Sequence, residues 1–231
     1  MKIVPFFTSL SRSVHEEQDD HDDQESKAGI DSSGPSGACT SISLTVWRKS
    51  LVISCKGFTV IDSNGDLVYR VDNYVGHPQE VTLMDGSGKS VLTMRRNKKF
   101  SLVESWFVYE GDVGDFFTAR TTTAAAPKSW PVFCVRKNKN MLNANPTTLA
   151  HVYREASGSH KKCAYVIEGS YTHRSCKVLE EFSRNVVAEI KRKEANVGGV
   201  SYGLEVFHLV VHPGFDPGFA MALVLLLDQM F

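Results

Sequence analysis

The residues of this chain best equipped for chemistry are its clustered cations. Arg95 and Arg96 are followed by Lys98 and Lys99, and Lys191, Arg192 and Lys193 are consecutive. Arg136, Lys137 and Lys139 form a third group, and Arg48 and Lys49 a fourth. A polyphosphorylated headgroup needs several cations on one spot, and the guanidinium fork matches phosphate oxygens. The first two groups, seven residues, are therefore the candidate lipid-binding residues. The competing reading is that Lys and Arg solvate strand ends and discourage edge pairing. Convergence in space separates the two readings, and spacing along the chain does not show it.

Other chemistries find less support. His160-x-x-Cys163 and His173-x-x-Cys176 have zinc-ligand residue types. The second pair falls on an expected strand, where an i, i+3 spacing puts the two side chains on opposite faces. His208 and His212 share a strand face with Val206 and Val210 but lack the helix and Glu of a zinc-protease motif. There is no Gly-x-Ser-x-Gly, Gly86-Ser87-Gly88 reads as a hairpin tip, and Gly198-Gly199 lacks a phosphate-loop Lys. Glu180 and Glu181 alternate faces and make no acid/base pair. No catalytic residue, metal site or cofactor is expected. No recognition helix or RNA-binding motif appears, which leaves anionic lipid headgroups or other proteins as the expected partners.

These cations ride on short β-branched and aromatic runs separated by turn signals. Strands are expected at Ser43–Trp47, Phe58–Ile61, Leu67–Val71, Val81–Met84, Val91–Met94, Phe100–Val103 and Trp106–Tyr109. They continue at Val132–Val135, Leu149–Tyr153, Cys163–Ile167, Cys176–Leu179, Val186–Ile190 and Leu204–Val211. Asn64-Gly65 predicts a type I′ hairpin, and Asp85-Gly86-Ser87-Gly88 a second hairpin. In the Val186–Ile190 strand, Val186, Ala188 and Ile190 should face inward and Glu189, Lys191 and Lys193 outward. Asp216-Pro217 then gives an N-cap and N1 proline ahead of a run apolar on every face from Phe219 to Leu227. A helix apolar all round must be buried or lie in lipid. This one, about 20 Å long, is too short to span a bilayer and long enough to fill a barrel. A closed barrel threaded by its own C-terminal helix satisfies both halves of the pattern.

The 231 residues carry 26 Lys+Arg against 26 Asp+Glu, a formal net charge of zero. That balance hides a split. Residues 15 to 31 hold eight carboxylates against Lys27, and Ser32 to Gly37 reads as a flexible linker. Residues 1–37 are thus a disordered acidic arm, and 38–231 a single domain with a charge of about +5. The arm is expected to compete with anionic partners for the basic strand ends. Five cysteines without a CxxC pair fit a reducing compartment. The apolar N-terminal stretch is broken by Pro5 and Thr8 and has no small-residue cleavage site, so it does not read as a signal peptide. Residues Thr121 to Pro127 are low-complexity and read as a loop.

The ordered set of motifs resembles the plant LURP-one-related family. Leu44-Thr45-Val46-Trp47-Arg48-Lys49-Ser50-Leu51 is similar to its opening strand, and Gly57 to Gly65 to its first hairpin. Val91-Leu92-Thr93-Met94-Arg95-Arg96, then Trp106 to Gly111, Ala188 to Lys193, and His212-Pro213-Gly214-Phe215-Asp216 with the apolar tail follow in order. The acidic arm is not part of that pattern. The resemblance implies a tubby C-terminal-like fold, related to phospholipid scramblases: about twelve antiparallel strands closed around a central apolar helix. It implies no catalytic activity and a connection to plant defence or stress responses. Tubby domains bind phosphoinositide headgroups and tether regulators to membranes, but none of their lipid contacts matches a motif here. The implied location is intracellular and cytoplasmic, peripheral at membranes, with the nucleus left open. Scramblase-like lipid transfer and an uncharacterised enzyme are the alternative functions.

Overall fold

A computed structural model describes residues 40–53, 55–72, 79–97, 103–112, 130–138, 147–154, 162–193 and 203–231. The acidic arm, Lys98, Lys99, Lys139, His160 and the Thr121–Pro127 stretch lie outside the described residues. The strands are β1 (Ile42–Trp47), β2 (Phe58–Ile61), β3 (Leu67–Val71), β4 (Glu80–Asp85), β5 (Ser90–Arg96) and β6 (Ser105–Glu110). They continue as β7 (Phe133–Lys137), β8 (Thr148–Arg154), β9 (Lys162–Ser170), β10 (Ser175–Glu180), β11 (Val186–Arg192) and β12 (Val206–Val211). Among the described residues there is one helix, α1 (Pro217–Met230), after β12. The strands close into a barrel in which each pairs with its chain neighbours and β1 pairs with β12.

Alternation builds the barrel's inside. Leu44 and Val46 of β1, Ala188 and Ile190 of β11, and Phe207, Leu209 and Val211 of β12 are buried, with half-exposed residues between them. Their target is α1, in which Phe219 to Leu227 are all buried. Asp216 caps it by accepting from the Phe219 backbone N–H at 2.6 Å, and Pro217 occupies the first turn, where a missing N–H costs nothing. Each buried Leu, Val or Met contributes about 1.5–3 kcal/mol, so the helix and the inner wall stabilise each other.

The topology also sorts the strand ends. All pairings are antiparallel, so odd-numbered strands run one way and even-numbered strands the other. The C-terminal ends of β1, β5, β7 and β11 therefore lie at one rim, and they carry Arg48, Arg96, Lys137 and Arg192. The C-terminus of α1 emerges at the same rim. The Lys137 ammonium donates to the Met230 carbonyl, Arg48 pairs with Asp228 at 3.1 Å, and the Tyr171 hydroxyl donates to Asp228 at 3.0 Å. Cations beside the carbonyl end of a helix are favoured by its dipole. The opposite rim carries Asp62, Asp66, Asp85, Glu110, Glu180 and Glu181 among its turns.

Of the expected Phe100–Val103 strand, Phe100 to Leu102 lie outside the described residues, and Val103 sits in a bend before β6 begins at Ser105. Two expectations need correction. Leu204 and Glu205 belong to a turn, and β12 starts at Val206. The β2–β3 hairpin exists, but its turn is not type I′. Gly65 takes a φ of 91°, whereas Asn64 is not among the described non-glycine residues with positive φ, Arg174 and Arg184. The Asp62 carboxylate instead accepts the backbone N–H groups of Asn64 and Asp66 at 2.9 Å each, and a register shift at Val60/Ile61 absorbs the extra residue. Asp85 does the same for Ser87 and Lys89, with Gly88 at a φ of 91°. Those bonds hold the Asp85 carboxyl below its usual range, first through the Ser87 side chain and then the Lys89 backbone.

Candidate anion-binding site

Antiparallel register puts Ser175 of β10 beside Lys191 of β11, Lys191 beside His208 of β12, and His208 beside Thr45 of β1. Their inward-facing chain neighbours are buried, so this row stands on the outer wall. Lys193 lies two residues further along the same face, toward the basic rim. The wall hollows here into a concavity of about 590 Å³, lined by Lys191, Arg192, Lys193, His173, Arg174 and His208 together with the Ser43 and Ser175 positions. Among the described residues, no Asp or Glu lines it. Cations and hydroxyls around a hollow are the donor set a phosphate group needs.

Arg174 is the unusual member. It is only 5% exposed, and its backbone takes a φ of 52°. Its guanidinium donates to the Leu204 carbonyl at 2.9 Å and the Tyr171 carbonyl at 3.4 Å. It also lies 4.2 Å from the Tyr171 ring centre and 4.5 Å from that of Phe207. Carbonyl dipoles and aromatic faces satisfy its donors but leave its formal charge in place. A buried cation under a hollow draws anions toward it. Nothing in the linear sequence marked Arg174, because its burial depends on β12 packing over the β9–β10 turn.

His208 is the second residue whose role is legible only in space. Burial, then the Lys193 ammonium, push its imidazole below the ordinary histidine range, against a hydrogen bond with the Leu44 backbone. Its Nδ1 is buried without a hydrogen-bond partner. Glu189 borders the site from the next row. Burial raises its carboxyl, but hydrogen bonds from Lys191 and His212 prevail and hold it below the usual range. Lys191 sits 3.1 Å from Glu189. The ammonium is 54% exposed on its side chain, so the pair is weak and can open to an incoming phosphate.

The other expected cluster lies elsewhere. In the closed ring β5 is six strands from β11, across the barrel. Arg95 pairs with Glu80, and Arg96 with Glu104 at 3.2 Å. Arg95 follows the outward face of β5 and Arg96 the inward face. The structure therefore brings Lys191, Arg192 and Lys193 into one hollow and sets Arg95 and Arg96 apart from it; Lys98 and Lys99 lie outside the described residues. Of the histidine–cysteine pairs, His173 is exposed in a turn and bonded to Ser170 at 2.7 Å, while Cys176 is buried facing the core. Burial pushes the Cys176 thiol up to about 12, which makes it a poor ligand or nucleophile.

Comparison with known proteins agrees with the architecture. The LURP-one-related family model matches residues 42–228, from the first strand to the last turn of the helix. Protein LURP-one-related 17 of Arabidopsis thaliana is 50% identical, with 99% of this chain and 100% of that protein aligned. That alignment takes in the acidic segment ahead of the barrel, which falls outside the family pattern. Protein LURP-one-related 8 of the same plant is 45% identical over 81% of this chain and 86% of its own. A crystal structure of an Arabidopsis thaliana protein superposes with a TM-score of 0.55 at 25% identity, covering 83% of this chain and 92% of that one. With barrel, helix and ordered motifs all matched, the chain belongs to the LURP-one-related family.

Proposed function

We propose that this protein is a non-enzymatic module that docks on anionic lipid headgroups through the hollow between β10 and β1. The observation that carries the reading is the meeting of Lys191, Arg192 and Lys193 with the buried Arg174 in a concavity lined, among the described residues, by no carboxylate. A polyphosphorylated headgroup such as a phosphoinositide is the ligand class, because several cations and hydroxyls converge where a phosphate could sit. In this reading the protein tethers to membranes peripherally, and the family resemblance is what points to plant defence or stress responses. His208 has Lys193 and backbone for neighbours, and the serine that meets a histidine of the hollow, Ser170 at 2.7 Å from His173, does so at an exposed site and is not among the described lining residues.

Scramblase-like transfer has less support. No described helix is long and apolar enough to cross a membrane. Releasing α1 would also break its contacts to Arg48, Tyr171 and Lys137 and expose its apolar face. The test of the docking reading is co-sedimentation of the full chain with phosphatidylcholine vesicles, with and without phosphatidylinositol bisphosphate. Binding that requires the anionic lipid and weakens with salt is expected. Equal recovery with both vesicle types would overturn it.

A further inference from the structure

The turn between β1 and β2 combines two properties that rarely occur together. Leu51, Val52 and Ile53 are consecutive, apolar and 51%, 43% and 90% exposed. They are flanked by Arg48, Lys49 and Lys56, and residues 48–57 contain no Asp or Glu. Single exposed hydrophobic residues are ordinary on protein surfaces, but a contiguous apolar tip with cations on both flanks marks an interaction site. Glu205, 3.7 Å from the exposed Arg48, is a carboxylate beside them.

The turn is also held in shape. Ser50 is buried at its root, and its hydroxyl accepts the Val52 backbone N–H at 3.0 Å. The Cys55 N–H reaches the Val52 carbonyl at 3.2 Å, and the Thr59 hydroxyl donates to the Lys49 carbonyl at 2.7 Å. Gly57 anchors the far side, where any Cβ would stand 1.8 Å from the Val71 carbonyl oxygen. A tip presented on a fixed root loses little freedom on binding.

Its position completes the argument. The turn lies at the basic rim, beside the strands that form the hollow, since β1 pairs with β12 and Arg48 bonds the backbone of Glu205 just before β12. Leu204, 43% exposed, precedes Glu205.

We propose that Leu51, Val52 and Ile53 enter the interfacial layer of an anionic bilayer while Arg48, Lys49 and Lys56 lie at its phosphates. The occupant is a lipid surface rather than a protein groove because apolar tip and cationic collar match, in order of depth, acyl chains below phosphates. Long cationic side chains can lie along the tip and keep their charges at headgroup level. The inference rests on the headgroup-docking reading, and it assigns a second, apolar contact to the same membrane.

The test uses the full chain and phosphatidylcholine vesicles carrying phosphatidylserine and phosphatidylinositol bisphosphate. Leu51→Ser/Ile53→Ser should bind about tenfold more weakly, because the apolar area it removes would otherwise leave water. These exposed positions tolerate the change, and an unaltered thermal midpoint confirms it. In Ile53→Trp the added indole emission should shift to the blue on vesicle addition. A vesicle-bound Ile53→Trp protein whose added emission does not move would overturn the insertion, as would full binding by the Ser variant. Binding lost in the Ser variant but kept by Lys191→Glu/Lys193→Glu would support the tip and remove the hollow. Binding lost only in the Glu variant would do the reverse. No binding by the parent chain would remove both.

Discussion

The ends of β5 and β11 look alike in sequence and differ in what surrounds them. Each strand finishes on consecutive cations, each is followed by more, and both finish at the same rim of the barrel. At β5 the flanking β4 and the residue just before β6 supply Glu80 and Glu104, one for each arginine, and the two guanidiniums follow opposite faces. At β11 the adjacent strands bring Ser175 and His208, the carboxylate beside Lys191 is Glu189 of its own strand, and the buried Arg174 lines the hollow. The density of charge is similar. What differs is whether the adjacent strand brings carboxylates or donors, and only strand pairing settles that.

The largest way to break the comparison is to remove the scaffold that both ends share. Leu225→Asp puts a charge at a position that is 0% exposed in the middle of α1. The cost exceeds about 4 kcal/mol, comparable to the stability of a domain. Soluble, cooperatively unfolding protein carrying that change, seen by circular dichroism, would contradict the buried helix.

Next in size is the latch at the basic rim. Asp228 is 5% exposed on its side chain and joins the helix end to Arg48 and Tyr171. Its partner Arg48 is 41% exposed, so solvent screens part of the attraction. Asp228→Ala should lower stability by about 1–2 kcal/mol in urea unfolding. The wall residues of both cation clusters are untouched and Arg48 is released, so lipid binding per folded molecule should hold or rise.

A smaller effect sharpens the β11 side. The folded protein holds His208 below its ordinary value of 6.5, while the unfolded chain does not. The unfolded state therefore takes up the proton first, and the stability this histidine contributes is present above about pH 6.5 and lost as pH falls. An anion in the hollow opposes that shift and raises the His208 value, so binding takes up a proton. Affinity for inositol phosphates should then rise a few-fold as pH falls through the histidine range. His208→Asn should flatten that slope in calorimetric titrations, and an unchanged slope would place the titrating group elsewhere.

Much of the fold could be read from the residues. The Asn-Gly and Asp-Gly turns, the alternating strands and the Asp-Pro start of an all-apolar helix each have a local physical cause. Errors arose where a local rule met a neighbour. Asn64 could have taken positive φ, but the Asp62 carboxylate captured the turn's N–H groups and Gly65 alone took the left-handed conformation. Leu204 stands at strand spacing from Val206, yet its carbonyl turns to the Arg174 guanidinium. The site was half legible. Lys191 to Lys193 announced themselves as a run of charge. Arg174 and His208 did not, because one is a lone arginine in a turn and the other a lone histidine on a strand. Their meaning comes from the β9–β10 turn packing on β12 and from β12 lying between β11 and β1.

The most direct measurement sets the two strand ends against each other in one assay. Lys191→Glu/Lys193→Glu and Arg95→Glu/Arg96→Glu change net charge by the same amount, so long-range attraction falls equally in both. Binding to vesicles containing phosphatidylinositol bisphosphate at near-physiological salt should drop by roughly 10–100-fold for the β11 pair and by less than about threefold for the β5 pair. Equal losses for the two variants would show that only total charge matters, and would contradict a headgroup site in the hollow.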